Sequence, residues 1–154
     1  MRALTRIATT GMRFRVSSLY ESAPLGPAQP HYLNAAVRFG VATPPESLLD
    51  ALLEIERSHG RVRREKWGPR TLDLDVLLAT DTEGRATLAF ESPRLSIPHP
   101  GLSLRAFALA PLLEVMPGQA RRLAPLLSAL GEAPEVVSRA PRTQKDPLWP
   151  GAST

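Results

Sequence analysis

Polar and apolar positions change rhythm several times along the chain, and each change predicts an element. Leu4, Ile7, Ala8 and Met12 fall at helical spacing with Gly11 near their end, which predicts an amphipathic helix over 1–12. From Arg13 to Tyr20 the period drops to two, with Phe14, Val16, Ser18 and Tyr20 against Arg13, Arg15, Ser17 and Leu19, as in a strand. The prolines and glycine between Ala23 and Pro30 exclude regular structure and predict an ordered loop. Alternation returns over Tyr32 to Val41, placing Leu33, Ala35, Val37, Phe39 and Val41 on one face and Tyr32, Asn34 and Arg38 on the other. Tyr32 and Asn34 then point the same way. Thr43-Pro44-Pro45-Glu46 reads as a capping box with prolines in the first turn of a helix. Leu48, Leu49, Leu52, Leu53 and Ile55 form the buried stripe of that helix, and Gly60 ends it. Glu56 sits on the edge of the stripe, half buried at most.

The second half continues the alternation. Over Thr71 to Leu78, Leu72, Leu74, Val76 and Leu78 face one way and Thr71, Asp73, Asp75 and Leu77 the other, which predicts a strand with two carboxylates side by side. Asp81-Thr82-Glu83-Gly84-Arg85 has hairpin-turn chemistry, with a short return strand expected over Ala86 to Phe90. Arg94 to Gly101 predicts an irregular loop that holds His99 between two prolines. Ser103 is placed to cap a helix containing Arg105, Phe107 and Leu109, with Pro111 starting or kinking its continuation toward Val115. A last helix is expected over Leu123 to Leu130, ended by Gly131, and the proline-rich stretch 141–154 as a loose tail. The order of elements predicts an α+β fold, helices packed over an antiparallel sheet, in a single domain over 1–140.

Composition adds three constraints. A 43% hydrophobic content is enough for a core. No apolar run approaches the roughly 20 residues of a membrane span and no secretory pattern opens the chain, so a cytoplasmic protein without membrane partners is expected. Absence of cysteine removes disulfides and thiol chemistry, leaving oxygen and histidine as metal ligands.

Charge points to a site. The net charge is +4, and all but two of the 19 basic residues are arginine, whose planar guanidinium grips phosphate in bidentate fashion. Arg57, Arg61, Arg63, Arg64, Lys66 and Arg70 cluster in one short segment opposed only by Glu65, a field that attracts polyanions. Directly after it stand Asp73 and Asp75. Neighbouring carboxylates repel unless a cation lies beside them, and Mg²⁺ takes one or two carboxylates together with substrate phosphates. A solvated strand face is the plain alternative, but aspartate is depleted in strands and two on one face need a reason. There is no Walker-type Gly-Lys-Ser/Thr loop and no Gly-x-Ser-x-Gly elbow, so nucleotide binding here would rest on arginine and metal.

The run Trp67-Gly68-Pro69-Arg70-Thr71-Leu72-Asp73-Leu74-Asp75 resembles the signature of the 6-hydroxymethyl-7,8-dihydropterin pyrophosphokinases of the folate pathway. The resemblance extends through Val16-Ser17-Ser18-Leu19-Tyr20, Pro24-Leu25-Gly26-Pro27, Tyr32-Leu33-Asn34-Ala35-Ala36-Val37 and Ile97-Pro98-His99-Pro100. It implies a ferredoxin-like antiparallel sheet with helices on one face, in which a first strand and a Gly-Ser-Asn turn precede the helix over 1–12. The chain begins partway along that pattern, so the first strand is expected to be missing from it. The implied reaction moves pyrophosphate from ATP to the pterin hydroxymethyl group and releases AMP, with two Mg²⁺ ions held by Asp73 and Asp75. Arg61 and Arg70 match the phosphate-clamping positions, catalytic together with the two aspartates. Glu56, Arg63, Trp67, Arg94, Ser96, His99 and Arg105 match further ATP contacts, His99 as a hydrogen-bonding orienter rather than a metal ligand. Ser22, Ala23, Leu25, Tyr32, Asn34, Trp67 and Phe107 match the pterin side, Ser22-Ala23 departing from the usual Thr-Pro. Small-molecule substrates, a monomer and no nucleic acid are the implied partners. Two alternatives stand beside this reading: a truncated or inactive family member that keeps ATP and Mg²⁺ binding, and a basic RNA-binding module. The paired aspartates and the lack of paired sheet aromatics count against the latter.

Overall fold

The computed structural model describes residues 14–23, 30–60, 72–131 and 134–138. The expected helix over 1–12, most of the proline loop, the basic run 61–71 and the 140/141 domain boundary lie outside the described residues. The strands are β1 (Arg15–Val16), β2 (Leu19–Ser22), β3 (Tyr32–Asn34), β4 (Val37–Arg38), β5 (Ala79–Thr80), β6 (Thr87–Leu88), β7 (Phe90–Glu91), β8 (Ser96–Ile97) and β9 (Glu135–Ser138). The α-helices are α1 (Pro45–Ser58), α2 (Ala106–Val115) and α3 (Ala120–Ala129). All pairings among them are antiparallel: β1 with β4, β3-β2-β9, β5 with β6 and β7 with β8. The α+β class therefore holds, but the strands form four small sheets among the described residues.

The two long strands expected near the N-terminal end are each broken once. The break in the first falls at Ser17 and Ser18, both buried. Ser17 Oγ donates to the Ser18 carbonyl at 2.7 Å and accepts the Ala36 amide at 2.8 Å, so a hydroxyl takes a place in the ladder and the chain passes from one sheet to the next. Its partner breaks at Ala35-Ala36. Phe14 and Phe39 stack with centroids 5.4 Å apart, continuing the β1–β4 register by one pair. The face assigned as apolar over Tyr32 to Val41 is not buried at its start: Leu33 is 63% exposed, and Tyr32 and Asn34 are the half-buried side chains of β3. Alternation sorts residues onto two faces without saying which one is covered, and here the polar face carries the contacts.

Helix α1 starts where expected but not by the expected device. Pro44 is its N-cap, no side chain caps it, and Thr43 does not form the capping box. Pro45 in the first turn supplies a preset φ, and Glu46 there complements the helix dipole. Gly60, at φ +82°, ends the helix in a conformation that glycine adopts without strain. Ser103 is likewise no cap: a 3₁₀ turn at Leu102–Leu104 intervenes, and Arg105 is the N-cap of α2 rather than a helical residue. Pro111 lies inside α2, which is apolar nearly all round and buried accordingly. Helix α3 begins three residues earlier than expected, after a 3₁₀ turn at Pro117–Gln119, and stops before Gly131 at φ +75°.

The hairpin at Asp81 forms as predicted, with Ala79 opposite Leu88. Its return strand is only two residues long, because Phe90–Glu91 turns to pair with Ser96–Ile97. The stretch Arg94 to Gly101 is thus partly a strand, not wholly irregular. Strand β9, beside β2, was not anticipated. The core gathers Leu102, Leu109, Leu112, Val115 and Met116 around α2, with Ala36 and Leu123 from either side. Helix α2 packs on β2, β3 and β4.

Candidate active site

The carboxylate-bearing segment carries no regular secondary structure among the described residues. Residues 72–78 make no strand ladder, contrary to the expected strand. The alternation itself holds: Leu72, Leu74 and Val76 are half buried, while Asp73 and Asp75 are exposed. Two hydrogen bonds among the described residues anchor the segment. Glu56 Oε1 accepts the Leu74 amide at 2.7 Å, between the two aspartates. Three residues on, the Leu77 carbonyl accepts the His99 amide at 2.9 Å.

Glu56 corrects the sequence reading. Instead of half buried at most it is 1% exposed, among the most enclosed side chains of the described residues. A buried carboxylate must be hydrogen-bonded, and the short contact to Leu74 shows that this one serves the main chain of the aspartate segment.

Asp73 and Asp75 line a cavity of about 260 Å³ together with Asn34 and Phe107. This brings the metal candidates next to two pterin-side candidates. Asn34 Nδ2 donates to Ser22 Oγ at 2.9 Å and to the Tyr32 carbonyl at 3.3 Å, and Ser22 lies directly opposite Tyr32 in the ladder. Ser22, Tyr32 and Asn34 therefore meet, with Asn34 alone of the three reaching the cavity lining. Ala23 is exposed just past the end of β2. Leu25, Arg61, Arg63, Trp67 and Arg70 lie outside the described residues.

The remaining ATP-side candidates lie on the segment 94–105, not on the lining of this cavity. Arg94 pairs with Asp50 of α1. That hydrogen bond, with the guanidinium's charge, holds the Asp50 carboxyl below its ordinary range. Ser96 Oγ donates to Glu91 Oε1 at 2.7 Å. His99 Nδ1 accepts the Gly101 amide at 3.0 Å, so in the neutral ring the proton sits on Nε2, which is left as a donor. Arg105 lays its guanidinium against Gly101, where a Cβ would stand 2.9 Å from Nε. Only glycine admits that approach.

One anchoring side chain escaped the sequence reading. Glu114 of α2 accepts the Ser18 amide at 2.8 Å, Ser18 Oγ at 3.0 Å and the Tyr20 hydroxyl at 3.0 Å. It fastens the helix that carries Phe107 to the strand that carries Ser22. The available signal was a single carboxylate in the otherwise apolar run 106–115.

The described residues contain no group of three or more His, Cys, Asp or Glu side chains placed to hold a metal alone. Two exposed carboxylates fit Mg²⁺ when substrate phosphates supply the other oxygens. No helix of the described residues is long and apolar enough to cross a membrane.

Taken together, these features define a class: a small α+β domain with a cavity that has hard-oxygen donors on one wall and an aromatic ring and a carboxamide on others. The chain belongs to the 7,8-dihydro-6-hydroxymethylpterin-pyrophosphokinase (HPPK) family, whose sequence model matches residues 1–117. It is similar to proteins named 2-amino-4-hydroxy-6-hydroxymethyldihydropteridine pyrophosphokinase. The Synechocystis sp. relative is 48% identical over 103 residues, 67% of this chain and 50% of that protein. The Pseudomonas aeruginosa relative is 44% identical over 119 residues, covering 74% of this chain and 70% of its own length. For Haemophilus influenzae the identity is 40% over 116 residues, with 75% and 68% covered. The chain thus spans half the length of the Synechocystis relative and somewhat over two thirds of the other two.

Proposed function

We propose that this protein transfers pyrophosphate from ATP to the hydroxymethyl group of 6-hydroxymethyl-7,8-dihydropterin, a step of folate biosynthesis. The observation that carries this reading is the cavity in which Asp73 and Asp75 face the same space as Asn34 and Phe107. The pterin hydroxymethyl oxygen forms the new bond to the β-phosphorus, the bond from that phosphorus to the α,β-bridging oxygen breaks, and AMP leaves with the bridging oxygen. The hydroxyl proton is lost to solvent.

Asp73 and Asp75 would hold Mg²⁺, two ions in this reading, which when bound neutralises phosphate charge and aligns the reacting groups. The residues of the chain do the rest by position. The Phe107 ring offers an apolar face to the flat pterin, with Tyr32 and Trp67 on the same substrate in this assignment. Asn34 offers its carboxamide to the polar edge of that ring, and Ser22, Ala23 and Leu25 border it. Arg61, Arg63 and Arg70 clamp the triphosphate. His99, through its Nε2 donor, and Arg94, Ser96 and Arg105 contact the nucleotide. Glu56 acts on ATP indirectly, through the main chain at Leu74. The reading includes a ferredoxin-like arrangement of the sheets, one domain over 1–140 with a loose tail, a monomer, a cytoplasmic location and no nucleic-acid partner.

The test is AMP release, followed by chromatography, from ATP, Mg²⁺ and the hydroxymethyldihydropterin. Pterin-dependent AMP with formation of the pterin diphosphate is expected. ADP in place of AMP, or no pterin-dependent product while ATP still binds, would overturn the reading. The latter result would favour a member that binds but does not turn over.

A further inference from the structure

Two of the ATP-side candidates, Arg94 and Ser96, sit on the hairpin formed by β7 and β8. The turn of that hairpin is fixed from within. Ser92 Oγ accepts the amides of Arg94 and Leu95, each at 3.2 Å, and the Ser92 amide donates to the Leu95 carbonyl at 2.9 Å. Leu95 is buried and pins the turn to the body of the domain. The backbone of Arg94 is therefore set, but its long side chain leaves the guanidinium free to wander unless something holds the far end. That hold comes from another element: Asp50 of α1 accepts from Arg94 Nη2 through Oδ1.

The pair does little for stability. Its side chains are 49% and 59% exposed, and exposed ion pairs contribute next to nothing to folding. It is also one-sided, because Asp50 takes one of the five N–H donors of the guanidinium and the half-exposed head leaves the others toward solvent. The surrounding charges favour this pairing over others. Arg57, the other cation close to Asp50, is held by Glu54 at 2.8 Å, and Glu46 on the same helix adds negative potential at Arg94. Helix α1 reaches the metal side of the site as well, since six residues after Asp50 the Glu56 carboxylate accepts the Leu74 amide between Asp73 and Asp75. One helix thus fastens both the aspartate segment and the Arg94 head, at points about 9 Å apart along its axis.

We infer that Asp50 is a positioning residue for the nucleotide: it holds the Arg94 guanidinium by one donor, so that the remaining donors stay directed at an anionic oxygen of ATP in fixed relation to Asp73 and Asp75. A guanidinium already held loses less freedom when the anion binds, and the difference appears as affinity. Like charge between Asp50 and ATP opposes this, weakened by solvent at an exposed site. The inference rests on the reading of Arg94 as an ATP contact.

The experiment compares Mg²⁺-ATP affinity by calorimetry and steady-state kinetics for the parent, Asp50→Ala, Asp50→Glu, Arg94→Ala and the double variant Asp50→Ala/Arg94→Ala. Asp50→Ala should weaken ATP binding and raise the KM for ATP roughly three- to tenfold, with kcat and the pterin KM within about twofold and Tm nearly unchanged. Asp50→Glu should recover most of the loss, and the double variant should bind ATP no worse than Arg94→Ala alone. Independently of activity, the Asp50 carboxyl followed by ¹³C NMR should titrate below the ordinary aspartate range in the parent and move up toward it in Arg94→Ala. Three results would overturn the inference while leaving the proposed reaction in place: ATP binding unchanged or tighter in Asp50→Ala, an equal loss from Asp50→Ala in the Arg94→Ala background, or an Asp50 that titrates normally in the parent. If Arg94→Ala binds ATP as the parent does, Arg94 leaves the nucleotide site and the inference falls with that reading.

Discussion

Replacing Glu56 with alanine removes the acceptor that holds the main chain midway between Asp73 and Asp75. The contact is short, 2.7 Å, and made by a side chain only 1% exposed, so it belongs with hydrogen bonds to charged groups, worth about 1.5–3 kcal/mol. Truncation also removes one buried methylene, about 0.8 kcal/mol. Relief of the carboxylate's desolvation works in the opposite direction and reduces the sum. A net loss of about 2–3 kcal/mol follows, which for a domain of this size lowers Tm by roughly 4–12 °C. Glutamine keeps both the volume and an acceptor oxygen, and Glu56→Gln should cost about 1 kcal/mol or less. Thermal unfolding followed by circular dichroism, with Mg²⁺-ATP affinity by calorimetry on the same samples, separates the two substitutions. Glu56→Ala should lose both stability and affinity, and Glu56→Gln should keep most of each. If Glu56→Ala melts within a degree of the parent, the anchoring role is refuted. If Glu56→Gln leaves Tm intact but abolishes ATP binding, the carboxylate charge contacts nucleotide directly.

Three further outcomes follow from the same geometry. Asp73→Ala or Asp75→Ala should leave Tm within a few degrees, since both side chains are exposed, and reduce Mg²⁺-dependent turnover by roughly 10²–10³; turnover near the parent rate in either would sink the metal assignment. Gly101→Ala places a methyl group 2.9 Å from Arg105 Nε and should displace that flexible guanidinium, raising the KM for ATP severalfold with little change in Tm; an unchanged KM would remove Arg105 from the nucleotide site. Hydrogen bonds from the Arg85 and Ala86 amides hold the Asp81 carboxyl below its ordinary value. The stability it contributes is therefore complete above the unfolded-state pKa, near pH 4, and is lost as pH falls through the lower folded value. Acid unfolding of Asp81→Asn should be less pH-dependent below about pH 4, and an identical acid profile would contradict the turn geometry.

Much of the local structure was legible because local chemistry decides it. Gly60 and Gly131 stop helices by the conformations they adopt, and Asp81 closes its turn on amides four and five residues ahead. The alternation at Leu72 to Val76 gave the exposure of Asp73 and Asp75 correctly even without a partner strand among the described residues. What pattern could not supply was contact across long sequence separations. Nothing near Glu56 announces that Leu74 will approach it, so an edge position on a helical wheel looked half exposed. The break at Ser17-Ser18 depends on Ala36 and Glu114, and the exposure of Leu33 depends on which side of β3 the helix α2 packs against. Strand β9 pairs with β2 in a stretch with no marked periodicity of its own. The site was legible as chemistry, two carboxylates beside a basic run, and less so as geometry, because the cavity draws its walls from four separate parts of the chain.

The three hydrogen bonds at Glu114 also define a pivot. Phe107 precedes Glu114 by seven residues, two helical turns along the same side of α2, or about 10.5 Å of lever arm. A tilt of α2 by 5° about that fixed end swings the Phe107 ring by about 0.9 Å relative to Asn34, a displacement of the size that costs about 10²-fold where reacting groups must be aligned. Glu114 is not itself among the residues lining the cavity, yet its grip on Ser18 and Tyr20 sets the gap into which a flat ring must fit. Loosening that grip with Glu114→Gln would turn a fixed aromatic wall into a swinging one.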